Sequence, residues 1–223
     1  ANTSLALRWA ARQPGAINLG LARLATAANL DDALVRAGDI GMPAQNMMLG
    51  DASGRIAWRL AAQMPARVGD CDIQAPVDPR AGCEWLGWRP ASANPSLVDP
   101  PSGRLWTANA RTVDGEMLKM VGDAGYANGA RARQIRDDLF SRQRFGERDL
   151  MAIQLDDRAV FLQRWWKLLR AHALASKDPA WSAFEAATRN WEGRATVDSV
   201  SYRLVRDWRL AVVERVRDGL MAP

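Results

Sequence analysis

Residues 43–60 read PAQNMMLGDASGRIAWRL. Two apolar runs, Met47 to Leu49 and Ile56 to Leu60, flank Asp51-Ala52-Ser53-Gly54, a cluster of turn-forming residues. Short apolar runs about such a turn predict a β-hairpin. On its N-terminal side, residues 17–39 place Leu19, Leu21, Leu24, Leu30, Leu34 and Val35 on helix-compatible spacings. Asp31-Asp32 suits the opening of a second helix there, where acids meet the positive end of the helix dipole. Further upstream, ANTSLALRWAAR alternates through Leu5, Leu7 and Trp9, which predicts a strand over residues 1–12.

On the C-terminal side of the hairpin, residues 65–102 are rich in Pro, Gly, Asp and Ser and predict a long loop carrying the aromatic pair Trp85 and Trp88. A short strand is expected at 104–108. Beyond it the periodicity predicts helices at 129–143, 147–156, 159–175, 179–192 and 197–219. The last has Val197, Val200, Leu204, Trp208, Val212 and Val216 on one stripe. Strands and a hairpin followed by a helical half define an α+β class, divided into a strand, hairpin and loop part at 1–125 and a helical part at 126–223.

The composition is that of a folded protein, 48% hydrophobic and 25% charged, with no apolar run near the roughly 18 residues a membrane span requires. The net charge of +5 raises nucleic acid as a partner. The arrangement of the charges argues against it. Only Lys119, Lys167 and Lys177 are lysines, and the arginines are interleaved with acids, as in Arg136-Asp137-Asp138. Such runs read as solvated helix faces with local ion pairs, so neither a nucleic acid nor a membrane is expected as a partner.

Cys71 and Cys83 do not have zinc-site spacing, and the lone His172 cannot complete a metal site or a triad of ordinary kind. The two cysteines suit a disulfide in an oxidising compartment and suit two free thiols equally well. GYANGARARQ lacks the Lys-Ser/Thr of a phosphate-binding loop. The acid pairs Asp137-Asp138 and Asp156-Asp157 lie in or at the ends of helices, where adjacent side chains do not face each other. The tryptophans at 165, 166, 181, 191 and 208 are expected in a core.

PPSGRLWTANARTVDG, residues 100–115, leaves a more pointed question. The expected strand stops on Asn109, whose side chain either caps a turn or presents an amide N–H to a substrate carbonyl, as an oxyanion donor must. Arg131 stands in the first turn of the next expected helix, where a cation opposes the dipole.

The order PAQN, GDASGRIAWRL, GWRP, NPSLVDPPSGRLWTANAR, GDAGYANGARARQIRDDL and ERDLMAIQLDDRAVFL resembles the β chain of the penicillin acylase family of N-terminal nucleophile hydrolases, over residues 5 to 175. That family includes acyl-homoserine lactone acylases and cephalosporin acylases. The resemblance implies a piece of an αββα fold, incomplete at both ends. It implies an amidohydrolase whose nucleophile and base belong to an N-terminal Ser. Asn109 then matches the oxyanion-hole Asn of the pattern P-x-S-G-x-x-x-x-x-N, and Arg131 matches the Arg that supports the site. It further implies an N-acyl amide substrate, an α chain and the remainder of the β chain as partners, a periplasmic location, and a role in quorum quenching or antibiotic resistance. No cofactor is required; calcium is allowed in the parent protein, and Asp123 is the nearest candidate ligand, three residues out of register. Ala1 carries no nucleophilic atom, so the chain alone is expected to be inactive. Asn109-Ala110 replaces the Asn-Asn of many members. The alternative function is a non-catalytic helical interaction module with a basic face.

Overall fold

The computed structural model describes residues 4–69, 71, 75–78, 80, 82–122 and 125–222. The chain divides into two compact units, Ala1–Arg136 and Asp137–Pro223.

In the first unit, helix α1 (Leu30–Ala37) precedes strands β1 (Gln45–Gly50) and β2 (Ile56–Ala61). The Asn29 side chain caps α1 by accepting from Asp32 N at 2.9 Å, and Asp31 and Asp32 occupy its first turn as expected. β1 and β2 form the expected antiparallel hairpin, with Gln45 opposite Ala61 and Gly50 opposite Ile56. Its turn is tied by the Asp51 carboxylate, which accepts from Ser53 N at 2.9 Å and Ser53 Oγ at 2.6 Å, while Gly54 takes the left-handed conformation at φ 88°. Strand β5 (Ser96–Val98) pairs antiparallel with the other edge of β2, so the sheet order is β1-β2-β5. Central β2 is buried along nearly its whole length. Trp58, Leu60, Ala62 and Met64 form the core here, with Leu105, Val113 and Val121 packed against them. Helix α2 (Gly115–Val121) had no clear sequence signal.

Four expectations are corrected in this unit. Residues 4–9 form no strand, and Ala10–Arg12 is a 3-10 turn. A strand requires a hydrogen-bonded neighbour; none of the described strands pairs with this stretch, and Leu7 is 89% exposed. Within 65–102, strands β3 (Pro65–Val68) and β4 (Glu84–Trp88) pair antiparallel, and β5 joins the larger sheet. Cys71 and Cys83 form a disulfide across the β3–β4 connection, and the guanidinium groups of Arg8 and Arg67 lie over the Trp85 ring. Residues 104–108 are not a strand either, because β5 already occupies the free edge of β2. The helical stretch expected at 17–39 is a 3-10 segment, Gly20–Thr26, followed by α1. The break between them lies at 27–29, where Asn29 caps α1, while Asn18 Oδ1 accepts from Gly20 N and Gly41 N at the start of the 3-10 segment.

Helix α3 (Ala130–Phe140) runs across the division between the units. In the second unit follow α4 (Glu147–Gln154), α5 (Gln163–Ala175), α6 (Pro179–Thr188) and α7 (Val200–Met221), each within an expected helix or within two residues of one. Asp178 caps α6 through Ala180 N, and Ser199 caps α7 through Tyr202 N. The core is Ala159, Leu162, Leu169 and Val205, surrounded by Trp165, Trp166, Phe184, Trp191, Tyr202 and Trp208. Trp166 stacks on Trp191 and donates its indole N–H to Thr188 O at 2.8 Å. Of the tryptophans expected to be core, Trp165, Trp166, Trp191 and Trp208 are so placed, and Trp181 packs edge-on against His172 and Phe184 outside that cluster. Among the described residues no helix is long and apolar enough to cross a membrane. The fold is α+β, with a few antiparallel strands in the first part and helices in the second.

Candidate active site

The approach to Asn109 is built by the turn at Pro100-Pro101-Ser102-Gly103. Gly103 N donates to Pro100 O at 2.8 Å, and Gly103 itself sits at φ 62°. The chain then runs past Leu105, which packs on the core, to the buried pair Ala108 and Ala110. Between them stands Asn109 at φ 61°, one of two non-glycine residues among those described with positive φ. The left-handed region costs a residue with a Cβ of order 1–3 kcal/mol, and Asn tolerates it better than most. Ala127 N secures the bend by donating to Asn109 O at 2.9 Å.

Arg131, in the first turn of α3, reaches the same point. Its Nη2 donates to Asn109 Oδ1 at 2.8 Å and to Ala108 O at 3.2 Å. Two residues 22 positions apart are thereby joined. A cation that opposes the helix dipole is offset here by two charge-assisted hydrogen bonds. The contact also settles the orientation of the Asn109 amide: a guanidinium has only donors, so the atom it touches is the carbonyl oxygen and not the nitrogen. Nδ2 therefore turns away from Arg131. No described residue accepts a hydrogen bond from it, and Asn109 is exposed. Withdrawal of electron density at Oδ1 makes the opposite N–H a stronger donor. Chemically, the pair offers an oriented amide N–H to an electronegative atom arriving from solvent.

The other sequence candidates lie elsewhere or outside the described residues. Asp123 falls outside them, as does Ala1. Among the described residues there is no group of three or more His, Cys, Asp or Glu that could hold a metal ion. His172 packs edge-on against Trp181 at 4.5 Å, in the second unit. Asp138 and Asp156 both pair with Arg158, at 2.6 and 2.7 Å. Asp157 pairs with Arg194. Within the second unit Asp138, Asp156, Arg158 and Arg194 border a polar cavity of about 270 Å³.

A feature that the sequence did not disclose flanks Asn109. A cavity of about 330 Å³ in the first unit is lined on its apolar side by Trp58, Leu97, Leu105 and Trp106, and includes Ala108 and Ala110. Its residues come from the hairpin, β5, the 100–112 segment and α3, a set that no local pattern brings together.

Comparison with solved structures defines the class. The fold is shared with thermostable penicillin G acylase from Alcaligenes faecalis, with a TM-score of 0.55 at 20% identity over 81% of this chain and 33% of that one. The chain belongs to the penicillin amidase family, whose model matches residues 1–222. It is 30% identical to penicillin acylase 2 proenzyme from Pseudomonas sp. (strain SE83), over 99% of this chain and 27% of that protein. It is also 28% identical to acyl-homoserine lactone acylase QuiP from Pseudomonas fluorescens, over 73% of this chain and 20% of that one. The chain thus spans about a quarter or less of the length of these curated relatives.

Proposed function

We propose that these 223 residues are the oxyanion-stabilising part of an amidohydrolase that cleaves the linear amide of N-acyl compounds, acyl-homoserine lactones or β-lactams such as penicillin. The nucleophile is an N-terminal Ser outside this chain, and its own α-amine, with an ordinary pKa of about 7.7–8.0, removes the hydroxyl proton. Attack on the amide carbonyl places negative charge on oxygen. Asn109 Nδ2–H and a backbone N–H elsewhere in the protein hold that charge. The amine leaves with a proton, and water then releases the acid from the acyl-enzyme ester. Arg131 is a positioning residue, holding Asn109 Oδ1 so that Nδ2–H faces the carbonyl. Neither a metal nor another cofactor takes part in these steps.

The observation that carries this reading is the Arg131–Asn109 hydrogen bond at 2.8 Å, which leaves an oriented amide donor on a left-handed residue. The names of the relatives support the choice of substrates, and the disulfide suits the oxidising periplasm, where the α chain and the rest of the β chain would be the partners.

The test is turnover of a panel of N-acyl amides by the full-length protein and its Asn109→Ala variant, with mass spectrometry following self-cleavage of both precursors. The expected result is intact processing with turnover lower by about 10²–10³-fold. Equal turnover would reduce Asn109 to a turn residue. The preferred member of the panel identifies the acyl group.

A further inference from the structure

The segment leading into α3 holds Asn109 at two points. Ala127 N donates to Asn109 O at 2.9 Å, and Arg131 Nη2 donates to Asn109 Oδ1 at 2.8 Å. The first contact fixes the backbone of Asn109 and the second the rotation of its amide. The direction of Nδ2–H therefore depends on where residue 127 stands relative to residue 131. Two glycines lie in this stretch: Gly125, at φ 75°, just before it, and Gly129 inside it. No described atom comes within 4 Å of the point where either would carry a Cβ, so packing does not hold them, and a glycine backbone is otherwise free to take either sign of φ. Gly129 also stands at the position that caps α3, where its carbonyl accepts from Arg133 N at 2.8 Å, but it has no side chain to satisfy the first-turn N–H groups. Asn128 takes over that task from one residue upstream, its Oδ1 accepting from Ala130 N at 3.2 Å.

We infer that Asn128 is a positioning residue for the reaction proposed above, on which this role depends: by closing the turn over Gly129 it fixes Ala127 relative to Arg131, and through them the aim of the Asn109 amide. An Asn side chain that accepts from the backbone two residues on is a rigid local brace, and here it spans the glycine that separates the two contacts. Without that oxygen, Ala127 and Arg131 are joined through an unbraced glycine, and the guanidinium meets Asn109 Oδ1 in a spread of orientations. The amide N–H then points at the carbonyl oxygen for a smaller fraction of the time. Since this donor acts on charge that develops in the transition state, the loss falls on kcat and not on KM.

The test is steady-state hydrolysis of the preferred N-acyl amide by the processed full-length protein and four variants: Asn128→Ala, Asn128→Asp, Asn109→Ala and Asn109→Ala/Asn128→Ala. Asn128→Ala is expected to lower kcat about three- to tenfold, the scale of a lost capping oxygen carried into a rate. KM is expected to stay within about twofold of wild type. Asn128→Asp, which keeps the accepting oxygen, is expected to restore kcat to within about twofold. Adding Asn128→Ala to Asn109→Ala is expected to change kcat by less than about twofold, because the amide it aims is already gone, whereas a general loosening of the fold would lower both backgrounds alike. Full activity of Asn128→Ala, a loss confined to KM, an equal loss in Asn128→Asp, or the same further loss in the Asn109→Ala background would each overturn the role of Asn128 and leave Asn109 in its own. Turnover of Asn109→Ala equal to wild type would overturn the proposed reaction, and the role of Asn128 with it.

Discussion

The two units solve the problem of burying a core in different ways. The second uses large aromatic side chains on long helices: Leu169 and Val205 are fully buried, ringed by Trp165, Trp166, Trp191 and Trp208. Its described residues contain no non-glycine residue at positive φ. The first unit has many small core residues, Ala33, Ala37, Ala57, Ala61 and Ala62 among them. Both left-handed non-glycine residues among those described, Asp99 and Asn109, belong to it, as does the cavity beside Asn109. Regular, locally encoded structure went with an aromatic core and paired surface charges. Irregular backbone held by long-range hydrogen bonds went with the exposed amide and the open cavity. Strain of this kind persists only where surrounding contacts over-determine it, and Arg131 and Ala127 supply those contacts at Asn109.

The contrast can be broken by substitution on each side. Leu169→Ala, in the aromatic core, is expected to cost about 2–5 kcal/mol of stability, since the helices around it cannot collapse into the space. Denaturant unfolding measures this; a loss below about 1 kcal/mol would mean that the second unit is far more plastic than its packing implies. Arg131→Ala, in the first unit, is expected to leave the midpoint of unfolding nearly unchanged and to lower turnover of the full-length protein by about 10²-fold, the scale of a misplaced catalytic group. Because Arg131 acts through Asn109, the loss should fall on kcat more than on KM. A change in KM alone would assign Arg131 to substrate binding instead.

A smaller effect sharpens the comparison through pH. Asp99 lies below the ordinary carboxylate range, first because Arg55 donates to it and then because Ile56 N does; Asp51 is lowered chiefly by the Ser53 hydroxyl. A carboxylate whose folded pKa is depressed contributes stability above its unfolded value, about 3.9, and loses it as pH falls through the folded value. Unfolding measured from pH 7 to pH 2 should therefore show stability declining below about pH 4. Asp99→Asn, which tolerates the same φ of 45°, should flatten that decline. An unchanged acid limb would show that the Arg55–Asp99 pair contributes nothing measurable, as many exposed pairs do.

What was legible in the sequence follows the same division. Helices α3 to α7 could be read from apolar stripes, because helical hydrogen bonds are local and the period of the pattern is enough. The β1–β2 hairpin was legible for the same reason, its turn chemistry lying between the strands it joins. Strands β3, β4 and β5 are three to five residues long and their pairing is non-local, between segments rich in Pro and Gly, so composition suggested a loop. The strand expectations at 1–12 and 104–108 failed at the opposite point. Alternation and aromatic content were present, but partners along the sheet edge were not. The family resemblance alone put Asn109 and Arg131 in one site, and the hydrogen bond between them was not anticipated; no spacing rule connects residues 22 apart across a turn and a loop. The cavity was invisible because its wall is assembled from four separate segments.

The proposed reaction turns on the amide N–H of Asn109, and Asn109→Asp isolates it most directly. Aspartate keeps the shape, tolerates the left-handed backbone and still accepts from Arg131, but its ionised form has no N–H to offer. Steady-state hydrolysis of the best N-acyl amide by the processed full-length protein should fall in kcat by about 10²–10³-fold, with unfolding unchanged. A kcat within a few-fold of wild type in a folded, processed enzyme would contradict the assignment of Asn109 as an oxyanion donor.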